Sequence, residues 1–263
     1  MKIGSLLAAF LTVASSLLPA EEVLSCFTNA SWVTPHWRRF YAMDEFLGIK
    51  GYVVITSKRS FEVDPEAEYE ISGTFRSPAD QPKPGNFEGG FTLVDDDGNS
   101  LPSYFYSNDP RSLTELAADV NPGDKVIKIK KAPQWKGGFI AFNAREDLSD
   151  LPNRDTFLYT KLAEDGDNLV LTLQAKIKKA YKAGTKVRCH NQKKLWTLNR
   201  FKIAPKEWTR FSGRIKGVDK TATNCSKWWP GAARARVFIL VPLNAGLEFK
   251  DVAVRKMTAG KPE

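Results

Sequence analysis

The chain has 263 residues, a formal net charge of +9 and a pI near 9.4. Its length exceeds what one small module needs and falls within the range of a single large domain. The hydrophobic fraction of 42% is ordinary, so a packed core is expected. The positive charge indicates affinity for polyanions, with a purely solubilising role as the alternative.

The first twenty residues have the order of a secretory signal. Lys2 gives a short positive start, residues 3–18 form a nearly uncharged apolar run, and Ala20 supplies a small residue before two glutamates. A membrane-spanning helix would need about 20 apolar residues, which this run does not reach. We therefore predict that residues 1–20 are a cleaved signal peptide and that the mature protein is secreted, periplasmic or at the cell surface, without membrane contact. Leu18 is unusual at the minus-three position, which leaves the cleavage site open.

Three cysteines remain after this segment, and export permits disulfides. An odd count leaves at least one thiol over. We prefer a Cys189–Cys225 disulfide because both residues fall in the C-terminal sheet region. Cys26 could instead carry a lipid, since residues 23–26 loosely resemble a bacterial lipobox. Two glutamates at 21–22 separate it from the apolar run and argue against lipidation.

Apolar and polar residues alternate through much of the mature sequence. In the clearest run, Tyr69, Ile71, Gly73 and Phe75 alternate with polar neighbours, which is the period of a half-buried strand. Further runs of this kind occupy 87–94, 127–130, 169–177, 210–216, 235–241 and 247–254. Turn residues at 95–99 and 121–124 separate some of these runs.

No stretch of comparable length shows a sustained helical period. Many strands with closely spaced turns predict an all-β antiparallel sandwich, and the lack of ten-residue amphipathic connections argues against a parallel α/β fold. We predict a single domain over residues 21–257, with an irregular N-terminal part at 21–60 and a loose tail at 258–263. The segment around 108–160 is predicted to be an insertion between sandwich strands, and residues 114–120 are either helical or extended.

Several segments resemble the carbohydrate-binding-module-like, galactose-binding-like jelly rolls of secreted bacterial proteins. They are Tyr69–Arg76, Glu207–Gly213, Trp229–Gly231 with the strand that follows it, and Gly246–Val254. The resemblance covers roughly residues 60 to 256 and consists of short, mostly structural motifs. It implies a β-sandwich of jelly-roll type and carbohydrate binding.

The closing strand of this resemblance contains Asp251. In such modules the matching aspartate often helps to bind a structural calcium ion, which the resemblance therefore implies here; no other cofactor is expected. Lys250 precedes it where a second acidic residue is common. The alternation slips by one residue at this point, which predicts a β-bulge, and an aspartate satisfied by backbone N–H groups is the alternative.

Sugar binding needs flat aromatic faces and a few polar groups. Trp228 and Trp229 lie together outside the alternating strands, Trp135 lies at a strand end, and Trp196 follows two lysines. We expect one or two of these four indoles to face a ligand. For any single one, packing in the core is the alternative.

A basic surface is the second predicted feature. If Phe211 and Ile215 point inward, Arg210, Arg214 and Lys216 share the outward face of one strand. The next strand would add Arg234 and Arg236 to the same surface. Arginine forks match carboxylate or sulfate groups, so an acidic polysaccharide is favoured over a neutral one and over nucleic acid. A merely solvated face is the alternative.

No catalytic residue is predicted. The two histidines lack metal-type spacing, and the sequence has no Gly-x-Ser-x-Gly, P-loop or dinucleotide fingerprint. A jelly-roll polysaccharide lyase could use Tyr181, Arg188 and His190, which lie close in sequence. The sequence is therefore best interpreted as a secreted, non-catalytic carbohydrate-binding protein. A structural or adhesive envelope protein is the first alternative, and a lyase or glycosidase is the second.

Overall fold

The computed structural model describes residues 20–257 except residues 82, 137, 222 and 223. The predicted signal peptide and tail lie almost wholly outside these residues. Within them the chain forms 18 strands and four short 3-10 helices, at Asn29–Ser31, Trp37–Arg39, Ser103–Phe105 and Pro110–Ser112. The strands are β1 (Ala20–Ser25), β2 (Trp32–Val33), β3 (Phe40–Ala42), β4 (Leu47–Lys50), β5 (Val53–Ser57), β6 (Phe61–Glu62), β7 (Glu68–Arg76), β8 (Asn86–Val94), β9 (Thr114–Glu115), β10 (Val126–Lys130), β11 (Phe139–Phe142), β12 (Thr156–Asp165), β13 (Asn168–Leu173), β14 (Lys186–His190), β15 (Leu195–Ile203), β16 (Thr209–Ile215), β17 (Arg234–Val241) and β18 (Gly246–Met257).

Two antiparallel sheets form the sandwich. Sheet A has the order β16-β7-β18-β4-β3, and β1 also pairs with β18. Sheet B has the order β15-β8-β17-β5-β2, and β6 also pairs with β17. One core cluster contains buried side chains from both sheets, among them Phe75 and Phe249 of sheet A and Phe91 and Val237 of sheet B. The predicted all-β antiparallel sandwich is confirmed.

The two-residue alternation accounts for the central strands. In β7, Tyr69, Ile71 and Phe75 are buried in the core, whereas their polar neighbours are mostly less buried. In β18 the register slips between Lys250 and Ala253, and Asp251 has a φ of 54°. The predicted bulge is confirmed. It allows Phe249 and Val252 both to reach the core although they differ in parity.

The inserted segment forms a third sheet, called the insert sheet here, with the order β10-β13-β12-β11-β14-β9. It runs from Thr114 to His190, so it extends further along the chain than residue 160. Its core is separate from that of the sandwich and includes Ile129, Leu171 and Val187. Residues 114–120 are extended rather than helical. No helix in the described part of the chain is long and apolar enough to cross a bilayer.

Candidate functional site

The outer face of sheet B is divided into a polar and an apolar part. Strand β17 alternates, with Ala235, Val237 and Ile239 in the sandwich core. The side chains of opposite parity therefore face outward. These are Arg234 and Arg236, which are exposed, followed by Phe238 and Leu240, which are covered.

Two adjoining cavities form a groove across this face. The polar half has a volume of about 350 Å³ and the apolar half about 260 Å³. Both are lined by residues 192–194 and by Trp229, so the two cavities lie side by side. The polar half is also lined by Asn191, Trp196, Arg200 and Asn224. The apolar half is also lined by Tyr52, Val54, Leu101, Pro102, Phe238 and Leu240, and it includes the hydroxyl side chains of Thr92, Ser100 and Ser103.

A buried carboxylate fixes the indole in the polar half. Glu88 on β8 is 4% exposed, and its Oε2 accepts a hydrogen bond from Trp196 Nε1 at 2.7 Å. The same oxygen accepts from Lys194 Nζ at 2.7 Å. The Arg200 guanidinium lies 4.7 Å from the centre of the Trp196 ring, a cation–π contact. Trp196 therefore has a fixed orientation, and the residue is partly exposed where it lines the polar half.

The indole is presented by a bulge in β15. Leu195 pairs with Phe91 and Asn199 pairs with Gly89, so residues 196–198 face the single residue Gly90. A Cβ atom at Gly90 would overlap the Leu195 carbonyl oxygen. A Cβ at Gly213 on β16 would overlap the Thr197 carbonyl oxygen in the same way. Two glycines thus allow the close approach of backbone that places Trp196 beside the groove.

Three of the four predicted tryptophans are buried. Trp228 is fully buried in the sandwich core, where its ring lies 5.2 Å from that of Phe91. Trp135 is 5% exposed in the core of the insert sheet. Trp229 is also 5% exposed and lies against the groove without presenting an open face. The expectation that Trp228 or Trp229 is exposed is wrong, because the sandwich core closes around this segment.

The predicted basic surface of five cations is also wrong. Arg210 and Arg214 lie on sheet A, where Arg214 Nη1 is 3.3 Å from Glu68 Oε1 and Arg210 Nη2 donates to Ser72 Oγ at 2.9 Å. Lys216 follows directly after β16, beyond its last residue. Arg234 and Arg236 lie on sheet B. Strands β16 and β17 are consecutive in sequence, but the chain crosses from one sheet to the other between them, so the two sets face opposite ways.

The preferred disulfide does not form among the described residues. Cys189 is buried in the insert sheet, with its Sγ 4.0 Å from the Tyr159 hydroxyl. Cys225 lies beside the groove, with its Sγ 3.9 Å from the Lys194 carbonyl oxygen. Strand β14, which was predicted to be part of the sandwich, belongs to the insert sheet. Cys189 and Cys225 therefore lie in different structural units.

Asp251 does not have the surroundings of a calcium site. It is exposed on the bulge of β18. Within the described residues, no group of three or more His, Cys, Asp or Glu side chains could hold a metal ion. Calcium prefers six to eight oxygen ligands, several of them carboxylates. The residues present therefore do not fit the ion that the resemblance implied.

The three residues considered for a lyase are buried instead of lining a cleft. Tyr181 is 5% exposed, Arg188 1% and His190 0%. Arg188 Nε donates to His190 Nε2 at 3.2 Å, and His190 Nδ1 lies 2.7 Å from the Tyr104 carbonyl oxygen. These contacts join the insert sheet to the sandwich. Buried and hydrogen-bonded in this way, the residues are typical of a group that stabilises the fold.

His190 predicts a pH-dependent stability. Burial, with the Arg188 charge, lowers its pKa to about 4, so the folded protein holds it neutral. The unfolded chain takes up the proton near pH 6.5, and stability is therefore lost as the pH falls from 6.5 towards 4, by on the order of 3 kcal/mol. Urea unfolding across this range should show a smaller loss for His190→Gln than for the wild type. His36→Gln, which changes an exposed ring, should follow the wild type; parallel curves for His190→Gln would contradict the assignment.

Comparison with known proteins gives weak structural similarity only. No family model and no curated protein matches the chain. Among solved structures, the CBM22-1 xylan-binding domain of Paenibacillus barcinonensis Xyn10C is 9% identical with a TM-score of 0.39, covering 92% of this chain and 97% of that one. The CBM22-1–GH10 modules of Clostridium thermocellum xylanase 10B, complexed with xylohexaose, are 9% identical with a TM-score of 0.34; the match covers 92% of this chain and 30% of that one. With both TM-scores below 0.5, the function rests on the groove itself.

Several groove residues were not identified from the sequence, chiefly Glu88, Lys194 and Arg200. Glu88 offers a signal in hindsight, since it is an acidic residue inside an otherwise apolar and glycine-rich strand. A buried carboxylate in such a strand needs partners, and Lys194 and Trp196 supply them. The sequence around Arg200 and Tyr52 has no such feature, because no local pattern indicates that these residues lie near β8.

Proposed function

We propose that the protein is an exported, non-catalytic carbohydrate-binding protein that holds a polysaccharide in the groove on sheet B. The observation that carries the proposal is the partly exposed Trp196 side chain, which lines the groove and is fixed by Glu88 beside the amide side chains of Asn191 and Gln192. A fixed aromatic face suits the apolar side of a sugar ring, and amide groups suit its hydroxyls. Fixing the ring beforehand lowers the entropy lost on binding.

The charge of the groove supports an acidic polysaccharide as the ligand. Lys194 is neutralised by Glu88, whereas Lys193 and Arg200 have no carboxylate within ion-pair distance among the described residues. Two cations without such partners would favour uronate or sulfate groups on the polymer. Export is proposed from the order of residues 1–20, and N-terminal sequencing of the exported protein checks it.

Trp196→Ala should weaken polysaccharide binding about tenfold or more, because it removes the aromatic face at the centre of the site. The measurement is calorimetric titration with sulfated, uronate-bearing and neutral polysaccharides. Trp208→Ala is the matched control. Trp208 is also partly exposed, and its ring is contacted by the cations of Arg76 and Lys250, but it lies on the other side of the sandwich.

The proposal fails if the wild type binds nothing in the panel. It also fails if Trp208→Ala loses affinity while Trp196→Ala keeps it, since the ligand would then lie on sheet A. A structural or adhesive protein remains the alternative function. It would self-associate in light scattering irrespective of added glycan.

A further inference from the structure

The outer face of β17 changes from polar to apolar along its length. Arg234 and Arg236 are exposed, but Phe238 is 2% and Leu240 7% exposed. Neither belongs to the core cluster of the sandwich. Outward positions of a sandwich strand normally carry polar residues, so two large apolar side chains here need another explanation.

These side chains form the floor of the apolar half of the groove. Leu101 and Pro102 form part of its wall, and Val54 and Tyr52 belong to the neighbouring strand and turn. Ser103 and Ser107 anchor the wall segment to residues of the polar half, and Asn191 N donates to the Ser107 carbonyl oxygen at 2.7 Å. Ser103 Oγ donates to the Lys193 carbonyl oxygen at 2.7 Å and accepts from the Lys193 backbone N–H.

An unsubstituted sugar would fit this slot poorly. A hydroxyl placed against Phe238 and Leu240 would lose its hydrogen bonds to water, and only the few polar side chains of the slot, such as Thr92 and Ser100, could replace them. A small ester has the opposite character, with an apolar methyl or alkyl end and a single carbonyl acceptor. Gln192 lines both halves, and its side-chain amide is a donor that suits such a carbonyl.

We propose that the apolar half binds an O-acyl substituent, so that the preferred ligand is an O-acylated polysaccharide. This inference rests on the proposed function and adds the substituent to it. The slot adjoins the polar half at Lys194, whose Nζ lies 5.9 Å from the centre of the Phe238 ring. A sugar ring against Trp196 could therefore direct an ester on the same or the next residue into the slot.

The test uses acetylated xylan, acetylated pectin and acetylated galactoglucomannan, each before and after mild alkaline removal of the acetyl groups. The wild type should bind the acetylated form of at least one polymer about three- to tenfold more tightly, since one methyl-bearing group leaves water. In Leu240→Thr, which makes the slot floor polar, the ratio of the two affinities should fall to about one. Leu243→Thr changes an exposed side chain in the following turn and should keep the wild-type ratio.

The outcomes separate the two proposals. Equal affinity for acetylated and deacetylated polymer overturns the acyl site and leaves carbohydrate binding intact. No affinity for either form of any polymer in this set or the earlier panel overturns the proposed function, and the acyl site with it. An unchanged ratio in folded Leu240→Thr, checked by its thermal unfolding, also overturns the acyl site.

Discussion

Arg188→Met is expected to destabilise the protein by about 3–5 kcal/mol, because it leaves a buried carboxylate without its cation. The Arg188 side chain is 1% exposed and its Nη2 lies 2.7 Å from Asp150 Oδ2, on a side chain that is 7% exposed. Its Nη1 donates to the Arg145 carbonyl oxygen at 2.8 Å. Burial alone would raise the pKa of Asp150, but hydrogen bonds from Asn153 and Arg145 and the Arg188 charge together hold it below its usual range.

Lys186→Met provides the matched control, since it removes a cation from the same strand. Lys186 is 57% exposed and pairs with Glu115 at 2.9 Å, so its loss should cost at most about 1 kcal/mol. Both variants are compared with the wild type by urea unfolding at pH 7. The double variant Arg188→Met with Asp150→Leu should recover part of the lost stability, because no unpaired charge remains. Equal unfolding midpoints for Arg188→Met and Lys186→Met would show that the buried pair is not structural.

The strands were predictable because burial on one face imposes a period of two on the sequence. The limits of β7, β8 and β17 follow from their alternation to within one residue. The bulge at Asp251 followed from a slip in the same pattern. Each of these features depends on neighbours along the chain, which is the information that alternation carries.

The layers could not be predicted, because alternation says nothing about which sheet a strand joins. Strands β16 and β17 show similar patterns, yet one is the edge of sheet A and the other is central in sheet B. Because the chain crosses from sheet A to sheet B between these two strands, Arg210 and Arg234 lie on opposite sides of the sandwich. In the same way, the burial of Trp228 depends on Phe61 and Tyr69, which lie far away in sequence.

The candidate site was predicted in part. Trp196 was predicted because it follows two lysines, and it is the member of the predicted set that is not buried. Its environment depends on a pairing between β15 and β8, more than 100 residues apart. The groove therefore depends on how distant strands pair in the sheet. No local sequence motif predicts its polar and apolar halves.

Gly90→Ala should reduce both stability and carbohydrate binding, because the backbone of β15 passes directly over this residue. The added Cβ would overlap the Leu195 carbonyl oxygen and come within 2.8 Å of the Thr197 nitrogen. Neither atom can move without displacing the bulge that carries Trp196. Overpacking of this kind costs about 1–3 kcal/mol or more. Displacing the indole from Glu88 should in addition weaken polysaccharide binding about tenfold.

Gly138→Ala is the control variant. It replaces a glycine at a position where no backbone approaches closely. The nearest atom to a Cβ at Gly138 would be Leu158 Cδ1 at 3.5 Å, an ordinary contact, so stability and binding should stay near the wild type. Urea unfolding and calorimetric titration with the polysaccharide that the wild type binds measure the two effects. If Gly90→Ala is destabilised but keeps full affinity, the ligand does not depend on the β15 bulge. The binding site would then lie away from Trp196, because any shift large enough to accommodate the methyl group must move that ring.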